Sequence, residues 1–211
     1  MGLLQKRALV TNSAPLYKIG IQKNTLIIGL GNPGKRYLGT RHNLGYDVLD
    51  YFAEKNEFPD WVNKKDLSCH LALKVLGDTQ VVLCKPTSFM NNSGQAAAAV
   101  QRFYKLYNPQ TLAVYDDLAI SFGQLRARVS GSDAGHNGVK SLIEYIGDDF
   151  GRLRIGIGSE ISAIAEDADF VLGKFTKKEQ GKVPLILREA NSLITEYIYG
   201  GSLPHDTRTV L

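Results

Sequence analysis

The sequence predicts a single α/β domain, a mixed, twisted β-sheet flanked by α-helices, and three observations predict it. The 211 residues are 44% hydrophobic and 22% charged, enough apolar material for one core and too much for disorder. From residue 25 onward, runs with strand and helix periodicity alternate, with no internal repeat and no low-complexity tract. One pair of strand-like runs brackets a tight turn, so antiparallel pairing is mixed into the sheet. No apolar stretch approaches the roughly 18 to 20 residues of a membrane span.

The elements follow in order. Thr25–Leu30 reads as a buried strand running into glycines. Leu44, Val48, Tyr51 and Phe52 fall on one face of a helix. Cys69–Val75 and Gln80–Cys84 are two strands around Gly77-Asp78, a hairpin signal. Asn92–Tyr107 is a predicted helix with Asn92 and Gln95 as a capping box and Val100, Phe103, Tyr104 and Tyr107 as its apolar stripe. Leu112–Tyr115 is a short strand ending in Asp116-Asp117, and Gln124–Val129 is another, with Arg126 and Arg128 alternating against apolar neighbours. Asn137–Ile146 is a helix with Val139, Leu142, Ile143 and Ile146 at helical spacing and Gly147 as its C-cap. Leu153–Ile157 is a further strand, and residues 177–199 form the last helix. The predicted division is a basic N-terminal extension over 1–24, the α/β domain over 25–199 and a tail over 200–211.

Charge is distributed unevenly. Residues 1–46 carry seven basic side chains and no acid, the first acid being Asp47; the remainder carries 18 basic and 21 acidic residues, against a net of +4 overall. A basic segment on a mildly acidic body suits either a polyanion partner or a solvated tail. Residues 1–24 hold no secretory h-region. The cytoplasm is the expected compartment, with a mitochondrion or plastid the alternative if the extension is a transit peptide. Cys69 and Cys84 lie in hydrophobic strands, as core residues of a protein from a reducing compartment.

Gly29-Leu-Gly-Asn-Pro-Gly34 satisfies the dinucleotide-binding spacing after a strand. Its context fails: no amphipathic helix opens at Lys35, and the acids some 20 residues on lie within a helical pattern. His42, after Thr40-Arg41 and before Asn43, sits in a polar, glycine-rich stretch where packing does not require it, so it is either a general base or a loop side chain. Asp116, at the end of a buried strand, is placed to fix the tautomer of such a histidine, whereas Asp117 reads as an ordinary turn residue. Asparagines crowd the loops: Asn32, Asn43, Asn91, Asn92 and Asn137. Each can position a water or stabilise an oxyanion, and each has a turn or N-cap alternative. No nucleophile elbow, Cys–His signature or metal-ligand spacing is present. Arg126 and Arg128 alternate on one strand and Arg152 and Arg154 on another, each pair on a single sheet face; with Lys140 and the free amides of the 137 helix they form either a phosphate site or a solvated face.

Five blocks then resemble one family: Gly29–Tyr37 with Thr40-Arg-His-Asn43, Lys85–Gly94, Tyr115-Asp-Asp-Leu118, Gly135–Lys140 and Arg152–Gly158. In order and composition they are similar to the bacterial-type peptidyl-tRNA hydrolases. The resemblance implies hydrolysis of the ester between peptide and tRNA, with peptidyl-tRNA as partner through its acceptor stem and 3′ end. It implies no DNA, no metal and no cofactor; a monomer is the default expectation. It places His42 as catalytic base, Asp116 as the acid orienting it, and Asn32 in the catalytic set. Asn91, Asn137, Tyr37 and Met90 fall on substrate-binding positions, and Arg128 and Arg154 on a clamp for the tRNA 5′-phosphate, with Lys140 nearby. Asp117 stands where the family usually has Glu, and Gly131-Ser-Asp-Ala-Gly135 replaces a more glycine-rich run, which implies a stiffer loop. A non-catalytic RNA-binding relative is disfavoured by the complete catalytic set, and a dinucleotide enzyme rests on the glycine spacing alone.

Overall fold

A computed structural model describes residues 23–159 and 167–210; the basic extension, apart from Lys23 and Asn24, lies outside the described residues. The described strands are β1 (Lys23–Gly29), β2 (Val62–Lys64), β3 (Cys69–Leu76), β4 (Thr79–Pro86), β5 (Thr111–Ser121), β6 (Gln124–Val129), β7 (Gly151–Gly158) and β8 (Thr207–Thr209). They form one sheet in the order β2-β3-β4-β1-β5-β7-β6-β8. The central pairs β4–β1, β1–β5 and β5–β7 are parallel and the outer ones antiparallel, the mixed sheet predicted.

Helices α1 (Leu44–Lys55), α2 (Ser93–Tyr104), α3 (Asn137–Ile146), α4 (Asp167–Leu172), α5 (Lys177–Gln180) and α6 (Val183–Gly200) cover the sheet. Strand alternation divides the core. Ile27, Leu83, Val114 and Ile155 pack with α1 and α6 on one face, and Leu26, Ile28, Val82 and Tyr115 pack with α2 and α3 on the other. The chain leaves β1 over the α1 face and leaves β4 over the α2 face. The crevice between these crossings opens above the carboxyl ends of β1 and β5, where α/β sheets place their sites. Gly45 allows the close approach of α1 there: a Cβ at this position would lie 2.3 Å from the Val114 carbonyl oxygen and 2.5 Å from that of Leu30.

Four expectations are corrected. The helix expected over Asn92–Tyr107 runs from Ser93 to Tyr104, and Asn92 caps nothing with its side chain. Its buried face is Ser93, Gly94, Ala96, Ala97 and Val100, while Phe103 and Tyr107 are exposed. The strand expected to end at Tyr115 continues through Ser121, so Asp117 is a buried strand residue, with a register shift after it. Asn137 is the first residue of α3, and the N-cap is His136, whose Nδ1 accepts from the N–H groups of Gly138 and Val139. The last predicted helix is two, α5 and α6. The β3–β4 hairpin around Gly77 (φ +61°), the β6 strand, α3 and its Gly147 cap form as expected, and both cysteines are free and buried.

Candidate active site

His42 is carried by a 3₁₀ turn, Arg41–Asn43, that leads directly into α1. Arg41 ties this turn down from behind: its guanidinium pairs with Glu179 at 2.8 Å, donates to the Lys174 carbonyl at 2.9 Å, and lies over the Phe170 ring. On the other side Asn43 locks the turn to the glycine loop, accepting from Asn32 N at 2.8 Å and donating to Asn32 O at 2.9 Å. The Asn32 side chain accepts from Met90 N at 2.9 Å. That bond orients the amide and leaves Nδ2 as a donor with no acceptor among the described residues.

Asp116 is 1% exposed and faces His42, with His42 Nδ1 at 3.0 and 3.1 Å from its two oxygens. The same carboxylate accepts from His136 Nε2 at 3.2 Å, and the two rings lie 4.9 Å apart. The proton positions follow. His136 Nδ1 accepts from two backbone amides, so its hydrogen is on Nε2 and points at Asp116. Asp116 accepts and does not donate, so His42 carries its hydrogen on Nδ1 and keeps Nε2 bare. Burial alone would raise the Asp116 pKa, but the hydrogen bonds from His136 and His42 outweigh it and hold the carboxyl well below its ordinary range. The possible ligand atoms of His42, Asp116 and His136 lie within 4.8 Å of one another, close enough for a shared cation. The His136 tautomer argues against one, because coordination through Nε2 with Nδ1 still accepting would require an imidazolate. A cavity of about 230 Å³ opens over this triad, bordered by Leu118, Gly135, Asn137, Ala168 and Val171.

A second concavity, about 500 Å³, lies on the α3 face, lined by Tyr115, Arg128, Ser130–Ser132, Ala134, Arg152 and Arg154. Its origin is register: antiparallel β6–β7 pairing sets Arg126 opposite Arg154 and Arg128 opposite Arg152, so the two arginine pairs share one face. Arg154 donates through Nε to Asp117 at 2.6 Å. Arg152, 2% exposed, reaches the carbonyls of Gly131 and Ser132 at 2.5 Å each, and its Nε has no partner. The loop 130–135 between the two concavities has four residues at positive φ: Ser130, Gly131, Ala134 and Gly135. Asp133 closes its turn by accepting from Gly135 N at 2.8 Å. The free amides expected at the start of α3 are in part already used by His136, and Lys140 is exposed beyond them.

Residues 26–208 match the family model described as peptidyl-tRNA hydrolase. The chain belongs to the peptidyl-tRNA hydrolase family. A relative of that name from Gloeobacter violaceus is 44% identical over 163 residues, 77% of this chain and 81% of the relative. One from Clostridium perfringens is 38% identical over 174 residues, 82% of this chain and 90% of the relative. Among solved structures, the peptidyl-tRNA hydrolase of Acinetobacter baumannii superposes with a TM-score of 0.76 at 32% identity, covering 84% of this chain and 89% of that one.

Of the site residues expected from this family, the fold brings His42, Asp116 and Asn137 to one cavity, ties Asn32 to the His42 turn through Asn43, and brings Arg128 and Arg154 to one pocket. Tyr37 lies edge-on to the half-exposed Phe89 at 6.4 Å, and Asn91 is exposed in the 3₁₀ turn Met90–Asn92. Met90, expected on a substrate-binding position, has a side chain 4% exposed that packs in the core beneath Gly138, and its backbone N–H holds the Asn32 amide. His136 is a member of the site to which sequence reasoning assigned no role, and Asn43, offered as a ligand for a water or an oxyanion, instead ties its turn to the Asn32 backbone; Phe89 is an apolar neighbour of Tyr37 that sequence reasoning passed over.

Proposed function

We propose that the protein hydrolyses the ester between the peptide and the terminal ribose of peptidyl-tRNA, releasing tRNA and peptide, with His42 as general base. The observation that carries the reading is the contact of His42 Nδ1 with both Asp116 oxygens, at 3.0 and 3.1 Å, which in the neutral ring places the hydrogen on Nδ1 and leaves Nε2 as the acceptor. His42 Nε2 takes a proton from a water, and the resulting hydroxide attacks the ester carbonyl. The tetrahedral oxyanion collapses, the acyl–oxygen bond breaks, and the imidazolium returns its proton to the ribose oxygen. Ionised Asp116 stabilises the imidazolium, and the unpaired Asn32 Nδ2 is the donor closest in kind to an oxyanion ligand. Asn137 borders the cavity for the 3′ end, and Tyr37, Asn91 and Phe89 supply its outer rim. Arg128 and Arg154, with Lys140 outside them, receive the acceptor-stem phosphates. On this reading the enzyme works as a cytoplasmic monomer without metal or cofactor. Among the described residues no helix is long and apolar enough to cross a membrane.

The test is release of tRNA from an N-blocked aminoacyl-tRNA. Loss of the general base in His42→Ala should lower kcat by about 10²- to 10⁴-fold. Unchanged turnover in this variant would remove His42 from the mechanism, and an inactive parent protein would remove the activity.

A further inference from the structure

Strand β8 is a part of the sheet that the hydrolytic reading leaves unused. It has three residues, too few to hold an edge by ladder hydrogen bonds alone. Its anchor is one side chain. Arg208 donates to Glu189 at 2.8 Å and to Glu196 at 2.6 and 3.0 Å, both on α6, and to Asp206 at 2.8 Å. Leu203, before the strand, and Val210, after it, pack on the α6 side of the core.

Pinned in this way, the segment turns its acceptors toward Arg128. The Asp206 carbonyl accepts from Ala127 N at 2.9 Å and from Arg128 Nη1 at 2.8 Å, and Thr207 Oγ1 accepts from Arg128 Nη2 at 3.2 Å. The Asp206 carboxylate is occupied elsewhere, one oxygen on Thr207 N and the other on Arg208 Nε. Arg128 is therefore held in one direction by neutral acceptors, and among the described residues no carboxylate pairs with it. Its guanidinium lines the arginine pocket, with the through-space charge of the Asp206 carboxyl acting on it, while its rotamer freedom is removed by the fold. A long cationic side chain otherwise pays that ordering cost when an anion binds.

We propose that β8 is a positioning element for substrate binding, with Arg208 as its pin, aiming Arg128 at the phosphate of the tRNA end. This rests on the reading of Arg128 as a 5′-phosphate ligand. Arg208 acts through Arg128 and touches no substrate.

The experiment compares kcat and KM on peptidyl-tRNA bearing a 5′-phosphate and on the same tRNA after phosphatase treatment. The parent protein should favour the phosphorylated substrate. Arg208→Ala should raise KM for that substrate by about three- to tenfold, with kcat unchanged and the 5′-hydroxyl substrate unaffected. Thr207→Val, which keeps the strand pinned, should shift KM in the same direction by about twofold. In an Arg128→Ala background Arg208→Ala should add nothing. If Arg208→Ala does not fold, Thr207→Val alone decides. A preference for the phosphate that is intact or larger in the folded variants would overturn the role of β8. A parent protein that does not distinguish the two substrates would instead remove the phosphate reading, and β8's role with it.

Discussion

Asp116 and Asp117 are buried within β5, just before its register shift, and Asp47 is largely buried on the first turn of α1, yet the three carboxyls meet different partners. Asp116 is held ionised by two histidine N–H donors, while Asp117 accepts from the Arg154 guanidinium and from Ala119 N. None of the hydrogen bonds among the described residues ends on the Asp47 carboxylate. Burial, followed by the charge of Asp50, pushes its pKa up to about 6, with Lys85 opposing. Burial acts in the same sense on both Asp116 and Asp47, so burial does not set the state; the donors do. The donors keep negative charge on β5 beside His42, where the proposed mechanism forms an imidazolium, and the α1 flank merely tolerates a carboxyl.

The largest break of this contrast is Asp116→Asn. An amide puts an NH₂ against a histidine N–H in either orientation: at the Oδ2 place it lies 3.1 Å from His42 Nδ1, and at the Oδ1 place it faces both histidines. If His42 faces the NH₂, its hydrogen moves to Nε2 and the base is lost. In this mixed population kcat should fall by about 10³- to 10⁴-fold; a fall of less than tenfold would mean the tautomer argument is wrong. The variant should also change acid stability. The native Asp116 pKa is depressed, so its stabilisation is present above the ordinary carboxylate range and is lost as pH falls through the native value. Urea midpoints of parent and variant should therefore converge at low pH.

A smaller effect tests the neighbouring ion pair. Arg154→Lys keeps the charge beside Asp117 but replaces the planar fork with a point donor. KM for 5′-phosphorylated substrate should rise by about three- to tenfold, while the dependence on salt keeps its slope because no charge is lost. A shallower slope would show that the lysine no longer reaches the phosphate.

How much of this was legible in the sequence depended on how the signal was written. The β3–β4 hairpin and α3 were readable because hydropathy and turn chemistry agree along them. The span and packing of α2 were not, because its buried face is mostly alanine, glycine and serine, and two of the three aromatics that suggested a stripe, Phe103 and Tyr107, point outward. The end of β5 was misplaced because Asp116-Asp117 carries the composition of a turn while serving as buried strand. His42 and Asp116 were assigned through family blocks, but His136 reaches Asp116 only because α3 begins beside β5. A glycine-flanked histidine able to cap a predicted helix was the available signal. The arginine pocket depends on β6–β7 register, which alternation within each strand does not reveal.

The smallest expected effect is on the α1 flank and concerns stability alone. With its native pKa near 6 against an ordinary value near 4, Asp47 binds its proton more tightly in the folded chain, so its penalty is absent below about pH 4 and complete above about pH 6. Asp47→Asn removes the charge and keeps the shape. It should stabilise the protein at pH 8 by on the order of 2 kcal/mol, with the gain fading to nothing near pH 4 and peptidyl-tRNA hydrolysis unchanged at pH 7. The check is a pair of urea titrations at the two pH values. A gain of equal size at both would show that packing rather than proton linkage is responsible, and a loss at pH 8 would mean that Asp47 has a donor partner and belongs with Asp116 after all.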